Sequence, residues 1–219
     1  TSSNLVNYKG RMNTTNNLRH IELCRISPSR TPLRPVRKKD PEFTELMESI
    51  RTDGVLQPIL VRPDKKKGSS TDYEVVEGNY RYTAARLVGL KTIPCQIKEL
   101  TDREVLIIQL KAQAVRPQET KAYEYARRLR KLLEDGLTVN DLSAIVDKGP
   151  AWVKSMLSLN RLSEKCQAQL TAGNLKVSNA VRLATLPCHL QEVFLDDAVK
   201  MKTAPFQKRP PPRGSAPGD

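Results

Sequence analysis

The stretch Val75-Val76-Glu77-Gly78-Asn79-Tyr80-Arg81-Tyr82-Thr83-Ala84-Ala85-Arg86-Leu87-Val88-Gly89 constrains the fold most, because its patterning changes from strand to helix across one glycine. Tyr73, Val75 and Val76 suit a short strand, Gly78 permits an abrupt change of backbone direction, and Tyr80, Ala84, Leu87 and Val88 recur at helical spacing. A strand feeding a helix through a glycine exposes N–H groups to an anion, aided by the helix dipole and by Arg81 and Arg86. The plainer reading is an ordinary strand-to-helix turn with its arginines in water, and one glycine alone favours that reading.

The length of 219 residues, with 38% hydrophobic and 28% charged, sustains one large folded domain or two small ones. A net charge of +13 and a pI near 9.7 exceed what solubility requires and point to nucleic acid or another polyanion. No run reaches the length of a membrane span and no charged-then-apolar leader opens the sequence, so a soluble cytoplasmic protein is expected, with no membrane partner. Cys24, Cys95, Cys166 and Cys188 lack C-x-x-C spacing and His20 and His189 lie far apart, so no metal site is expected. Neighbours on a helix point in different directions, which argues against Cys188 and His189 as a nucleophile and base.

Residues 1–18 are rich in Asn, Thr and Ser and predict disorder, as does the Pro-rich basic tail at 205–219. Ile21, Leu23 and Ile26 alternate like one short strand, and Pro28, Pro32 and Pro35 break the basic loop that carries Arg30, Arg34, Arg37, Lys38 and Lys39. That loop reads as a solvated connection or a phosphate-contacting arm. Asp40 and Pro41 start a helix with Phe43, Leu46, Met47 and Ile50 on one face, which Gly54 ends. Residues 58–62 and 93–97 read as strands, Pro94 placing the latter at an edge or at its first residue. Thr101 and Glu104 form a capping box for a buried helix to about residue 115. An amphipathic helix then presents Ala122, Ala126, Leu129 and Leu133 inward and Lys121, Arg127, Arg128, Arg130 and Lys131 elsewhere.

From Thr138 the pattern is one of short helices. Thr138 caps residues 139–146 with Leu142, Ile145 and Val146 inward; Asp147-Lys148-Gly149 turns; Pro150 starts a second helix. Two short helices joined by a tight turn describe a helix-turn-helix, in which Val153 and Met156 pack inward. Ala151, Trp152, Lys154, Ser155 and Ser158 then face outward, where the DNA-binding version enters the major groove. Any all-helical domain contains packed helix pairs, and Trp152 suits the edge of a core as well as a DNA contact. Helices near 164–173 and 178–186 complete the helical domain.

The order of these parts, over about residues 21–187, resembles the ParB family of plasmid and chromosome partition proteins, which includes the KorB-type repressors. The specific segments are LMESIRTDGVLQPILVRP (46–63) and YEVVEGNYRYTAARLVGLKTIPCQI (73–97), followed by the helix-turn-helix from Gly136-Leu137-Thr138. The resemblance implies an α+β chain: a ParB/sulfiredoxin-like α/β domain at 19–116 that binds nucleotide, then a helical helix-turn-helix domain at 117–204 that reads a DNA site. It implies double-stranded DNA, a partner ATPase of the ParA type and a second copy of the chain as partners, in association with nucleoid or plasmid. On the DNA side the helix-turn-helix reading names Thr138, Lys148, Pro150, Ala151, Trp152, Lys154, Ser155, Ser158 and Arg161. No family-type C-terminal dimerisation segment is visible, so the chain is a fragment or self-associates through its N-terminal domain.

In the family a Gly-Glu-Arg-Arg-x-Arg-Ala motif holds the triphosphate of CTP and a later Glu-Asn-x-x-Arg motif helps with the nucleotide and its Mg²⁺; the resemblance implies nucleotide contacts from Arg34, Gly78, Asn79, Tyr80, Arg81, Thr83 and Ala84. Gly78, Arg81 and Ala84 match, whereas Asn79, Tyr80 and Thr83 replace Glu, Arg and Arg. The later Glu-Asn-x-x-Arg motif falls on Ile-Gln-Leu-Lys-Ala at 108–112, or, with a shifted alignment, uses Gln113 and Arg116. Each lost charge-assisted contact is worth about 1.5–3 kcal/mol, so weak, altered or absent CTP binding and lost CTPase activity are expected. A rival reading is a ParB-like metal-dependent nuclease, for which Glu74 and Glu77 are the nearby carboxylates. Sulfiredoxin activity would need a cysteine at the glycine turn, and a protein-binding adaptor is a third alternative.

Overall fold

The computed structural model describes residues 18–30, 32, 36–65, 70–114 and 122–200, and the chain divides into two compact units between Glu119 and Thr120. The expectations for residues 1–18 and 205–219 lie outside the described residues, except that Leu18 opens the first strand. No described helix is long and apolar enough to cross a membrane.

Among the described residues, the first unit is a five-stranded mixed sheet with three α-helices. Its strands are β1 (Leu18–Glu22), β2 (Ile26–Ser27), β3 (Ile59–Pro63), β4 (Tyr73–Glu77) and β5 (Thr92–Ile97), in spatial order β1-β5-β3-β4-β2. Its helices are α1 (Pro41–Asp53), α2 (Asn79–Val88) and α3 (Asp102–Ala114). The alternation at Ile21, Leu23 and Ile26 is not one strand: it breaks at a 3-10 turn, and β1 and β2 go to opposite edges of the sheet. All three side chains stay buried, which is why the pattern looked continuous. The strand containing Pro94 is internal rather than at an edge. Its ladder with β3 begins at Cys95, one residue past Pro94, so at the proline only β1 flanks the strand and a missing N–H is tolerated.

Phe43 and Ile50 of α1, Tyr82, Ala84 and Ala85 of α2, and Ile59, Val61, Val75, Ile93 and Cys95 of the sheet form one core. Each large aliphatic side chain buried there contributes about 1.5–3 kcal/mol. Asp40 stands at the N-cap of α1 as expected, but its side chain bonds no helix N–H; its carbonyl accepts from Phe43 and Thr44 instead. The Thr101–Glu104 capping box forms in full at the start of α3. Glu74, buried in β4, receives Arg62 Nε and Nη2 at 3.1 and 2.9 Å and the Arg30 N–H at 3.0 Å. A buried carboxylate so satisfied fixes β4 against β3 and the start of the basic loop.

Among the described residues the second unit is all helical: α4 (Ala122–Glu134), α5 (Val139–Val146), α6 (Pro150–Ser158), α7 (Glu164–Thr171), α8 (Val177–Leu183), α9 (Cys188–Val193) and α10 (Leu195–Lys200). The inward face of α4 is Tyr125, Ala126, Leu129 and Leu132, so the stripe runs through Leu132 rather than Leu133. Arg128 is half-buried, and burial lowers its guanidinium to about 10 against the opposing pull of Glu124. Gln191, also buried, accepts from the Ser163 N–H at 2.8 Å and donates to the Arg161 and Leu186 carbonyls. It locks α9 to the segment that follows α6.

Candidate nucleic-acid and nucleotide sites

In the second unit, α5 and α6 are built as the sequence pattern requires. The Thr138 hydroxyl accepts from the Asp141 N–H at 3.1 Å while the Asp141 carboxylate accepts from the Thr138 N–H at 2.8 Å, closing a reciprocal cap. Asp147 ends α5 in the left-handed region at φ 53°, which Asp tolerates better than most residues, and the Ser143 hydroxyl donates to the Lys148 carbonyl across the turn. Gly149 and Pro150 then start α6. Leu142, Ile145, Val146, Val153 and Met156 are buried, and Ala151, Lys154, Lys148 and Arg161 are exposed. Ser155 and Ser158 are half-exposed, and their hydroxyls donate back to the Ala151 and Ser155 carbonyls. Trp152 lies edge-on to Tyr125 of α4, with ring centroids 5.9 Å apart, and so covers the edge of the core.

In the first unit, a cavity of about 700 Å³ opens at the junction of β4 and α2. Gly78 forms that junction with φ 103°, and a Cβ there would stand 2.7 Å from Ile59 Cγ2, so both conformation and space demand glycine. Asn79, Tyr80 and Arg81 line the cavity with Gly78, joined by Glu42 of α1, Gln57, Glu77 and Gln109 and Gln113 of α3. Arg81 Nη1 donates to the Gln57 and Pro58 carbonyls at 2.9 Å each, and Nη2 faces Glu77 at 3.2 Å. Gln109, buried in α3, donates to the Ser29 hydroxyl and the Val76 carbonyl at 3.2 Å each.

Residues 8–114 match the ParB N-terminal domain and residues 118–204 the ParB HTH domain. The chain belongs to the ParB family. This ParB-family chain is 34% identical over 167 residues to the chromosome-partitioning protein Spo0J of Thermus thermophilus, covering 76% of its own length and 59% of that relative. It is 32% identical over 206 residues to a probable chromosome-partitioning protein ParB of Neisseria meningitidis, covering 89% and 70%. The crystal structure of C-terminally truncated ParB from Caulobacter crescentus, complexed to the centromeric parS site, superposes with a TM-score of 0.58 at 26% identity, over 87% of this chain and 100% of that one. The same Caulobacter protein complexed with CTP-gamma-S aligns at 28% identity with a TM-score of 0.41, over 81% and 98%. Against two further curated relatives the chain spans 50% and 56% of their length, about half.

Within this ParB frame, four residues of the glycine motif, Gly78, Asn79, Tyr80 and Arg81, line the cavity. Thr83 does not line it, Ala84 is fully buried in the core, and Arg34 lies outside the described residues. Gln109 also lines the cavity, within the 108–112 window on which the family's later motif falls. Among the described residues that line the cavity, Arg81 is the one cation, and its guanidinium is already engaged by two carbonyls and a carboxylate, while Glu42 and Glu77 add negative charge. The nuclease reading gains nothing from the geometry. Glu74 is bound by Arg62 and Arg30 and Glu77 by Arg81, and among the described residues no group of three or more His, Cys, Asp or Glu is placed to hold a metal ion.

Proposed function

We propose that this chain is the DNA-reading part of a ParB-type partition protein and that it recognises a specific duplex site through α5 and α6, without needing nucleotide. The observation that carries this reading is the capped, tightly turned α5–α6 pair with an exposed α6 face, in a family member similar to a protein crystallised on parS. The start of α6 behind Gly149 suits a phosphate. Lys148 and Arg161, exposed on either side of α6, supply phosphate contacts that set register, and Thr138 sits at the cap of the supporting helix. Lys154 is the long donor on the exposed face and reads a base edge, with Ala151 and Ser155 small enough to let α6 lie deep in the groove.

By the same reading the chain acts as a dimer on a palindromic site, in association with nucleoid or plasmid and with a ParA-type ATPase. Fluorescence anisotropy with a parS duplex tests the proposal. Nanomolar, salt-sensitive binding is expected without CTP, and Lys154→Ala should weaken specific binding by about 1–3 kcal/mol while leaving binding to random DNA nearly unchanged. Equal affinity of the native chain for parS and scrambled duplexes would contradict it.

A further inference from the structure

The segment that leaves α6 is held by side-chain amides. Leu159–Arg161 forms a 3-10 turn directly after α6, and Ser163 then caps α7. Helix ends leave carbonyls and N–H groups without intrahelical partners, and here Asn160, Gln167 and Gln191 supply them. Asn160 Nδ2 donates to the Leu157 carbonyl of α6 and to the Ala126 carbonyl of α4, at 3.0 Å each. Gln191 Nε2 donates to the Arg161 carbonyl at 3.0 Å, while its Oε1 accepts the Ser163 N–H at 2.8 Å. Gln167 Nε2 donates to the Leu162 carbonyl at 2.6 Å. Leu159 and Leu162, both buried, anchor the backbone on either side of Arg161. The Arg161 side chain itself is exposed and forms no ion pair among the described residues, whereas Arg127, Arg130 and Lys165 are each paired with a glutamate.

We infer that Gln191, with Asn160, is a positioning residue for DNA binding: it fixes the exit of α6 so that Arg161 meets one backbone phosphate. This rests on the proposal that α5 and α6 meet duplex DNA. A guanidinium on a flexible stem gains from a phosphate only what is left after its ordering, so a fixed backbone increases the part that counts toward binding. Gln191 lies 30 residues beyond Arg161 and is buried, so it acts through the backbone and not by touching DNA. Its further bond to the Leu186 carbonyl, at 2.9 Å, orients the amide from the turn before α9. Asn160 does the corresponding task from the α4 side. A methionine in place of Gln191 keeps the volume and loses every one of these bonds.

The test is a double-mutant cycle in DNA binding by the full chain, read by anisotropy over a range of salt concentrations and well below the melting temperature of each variant. Arg161→Ala should weaken binding to parS and to random duplex alike, roughly tenfold, and lower the slope of log affinity against log salt by about one, the signature of one lost phosphate contact. Gln191→Met should do nearly the same, and combined with Arg161→Ala it should add little more. Combined with Lys148→Ala, at the other end of α6, it should add in full. Asn160→Ala, at a half-buried site, carries the same cycle if Gln191→Met does not fold. A folded variant at either amide with native affinity and native salt slope, or full additivity with Arg161→Ala, would overturn the inference. Weak additivity with Lys148→Ala as well would show a general loosening and overturn it too. A native chain that binds parS no better than random duplex would sink the site-specific reading alone, because random duplex reports the same phosphate contact; a native chain that binds neither would overturn both.

Discussion

Gly78 and Asp147 both occupy left-handed backbone, yet the chain depends on them differently. At Gly78 any side chain meets Ile59 at 2.7 Å on a β-strand that cannot retreat, so Gly78→Ala should destabilise the first unit by roughly 1–3 kcal/mol. A urea melt that shows less than half a kilocalorie of change would mean that β3 yields. At Asp147 the strain is the backbone's own, and the residue type fits it. Its role was legible from the sequence, because turn chemistry is local. Arg81 was equally visible as a motif residue, but its partners were not. Whether a guanidinium faces a phosphate or two carbonyls 23 and 24 residues earlier in the chain depends on where β3 comes to lie, which no local pattern encodes.

Among the elements, the capping box at Thr101–Glu104 forms as its spacing predicts, and Thr138, expected as a simple cap, forms a second box with Asp141. Thr138→Ala should cost about 1 kcal/mol of stability in the second unit, with a matching loss of DNA affinity only if fraying of α5 reaches α6. A thermal melt beside an anisotropy titration separates the two effects. The helices and the strand–glycine–helix unit were legible because their signals are periodic and contiguous. The pairing of strands was not. The segment at 18–27 divides between two sheet edges, and β5 lies inside the sheet despite Pro94, because each depends on neighbours far away in sequence. In the candidate sites, the exposed face of α6 followed from helical spacing, while the bonds from Asn79 to Ser29 and from Tyr80 to Arg37 span 50 and 43 residues and had no sequence signature.

For the molecule as a whole, the thiols report on both units at once. Cys24 and Cys188 are exposed, whereas burial pushes the Cys95 thiol up to about 12 and also raises Cys166. A disulfide reagent at neutral pH should therefore modify two thiols quickly and the other two only on unfolding; rapid reaction of three or four would show that a core is open. The charge of +13 tells less than it first suggests. The described residues hold 26 of the 37 Lys and Arg and 22 of the 24 Asp and Glu, a net +4 by this count. Net charge alone gives general attraction to DNA; on the proposed reading, discrimination among sequences comes from the geometry of α5 and α6. The direct measurement is selection of binding sites from fragmented genomic DNA by the full chain without CTP, run in parallel with Lys154→Ala. Enrichment of one palindromic motif, lost or relaxed in the variant, is the predicted result; a flat distribution, or a motif that appears only when CTP is added, would contradict it.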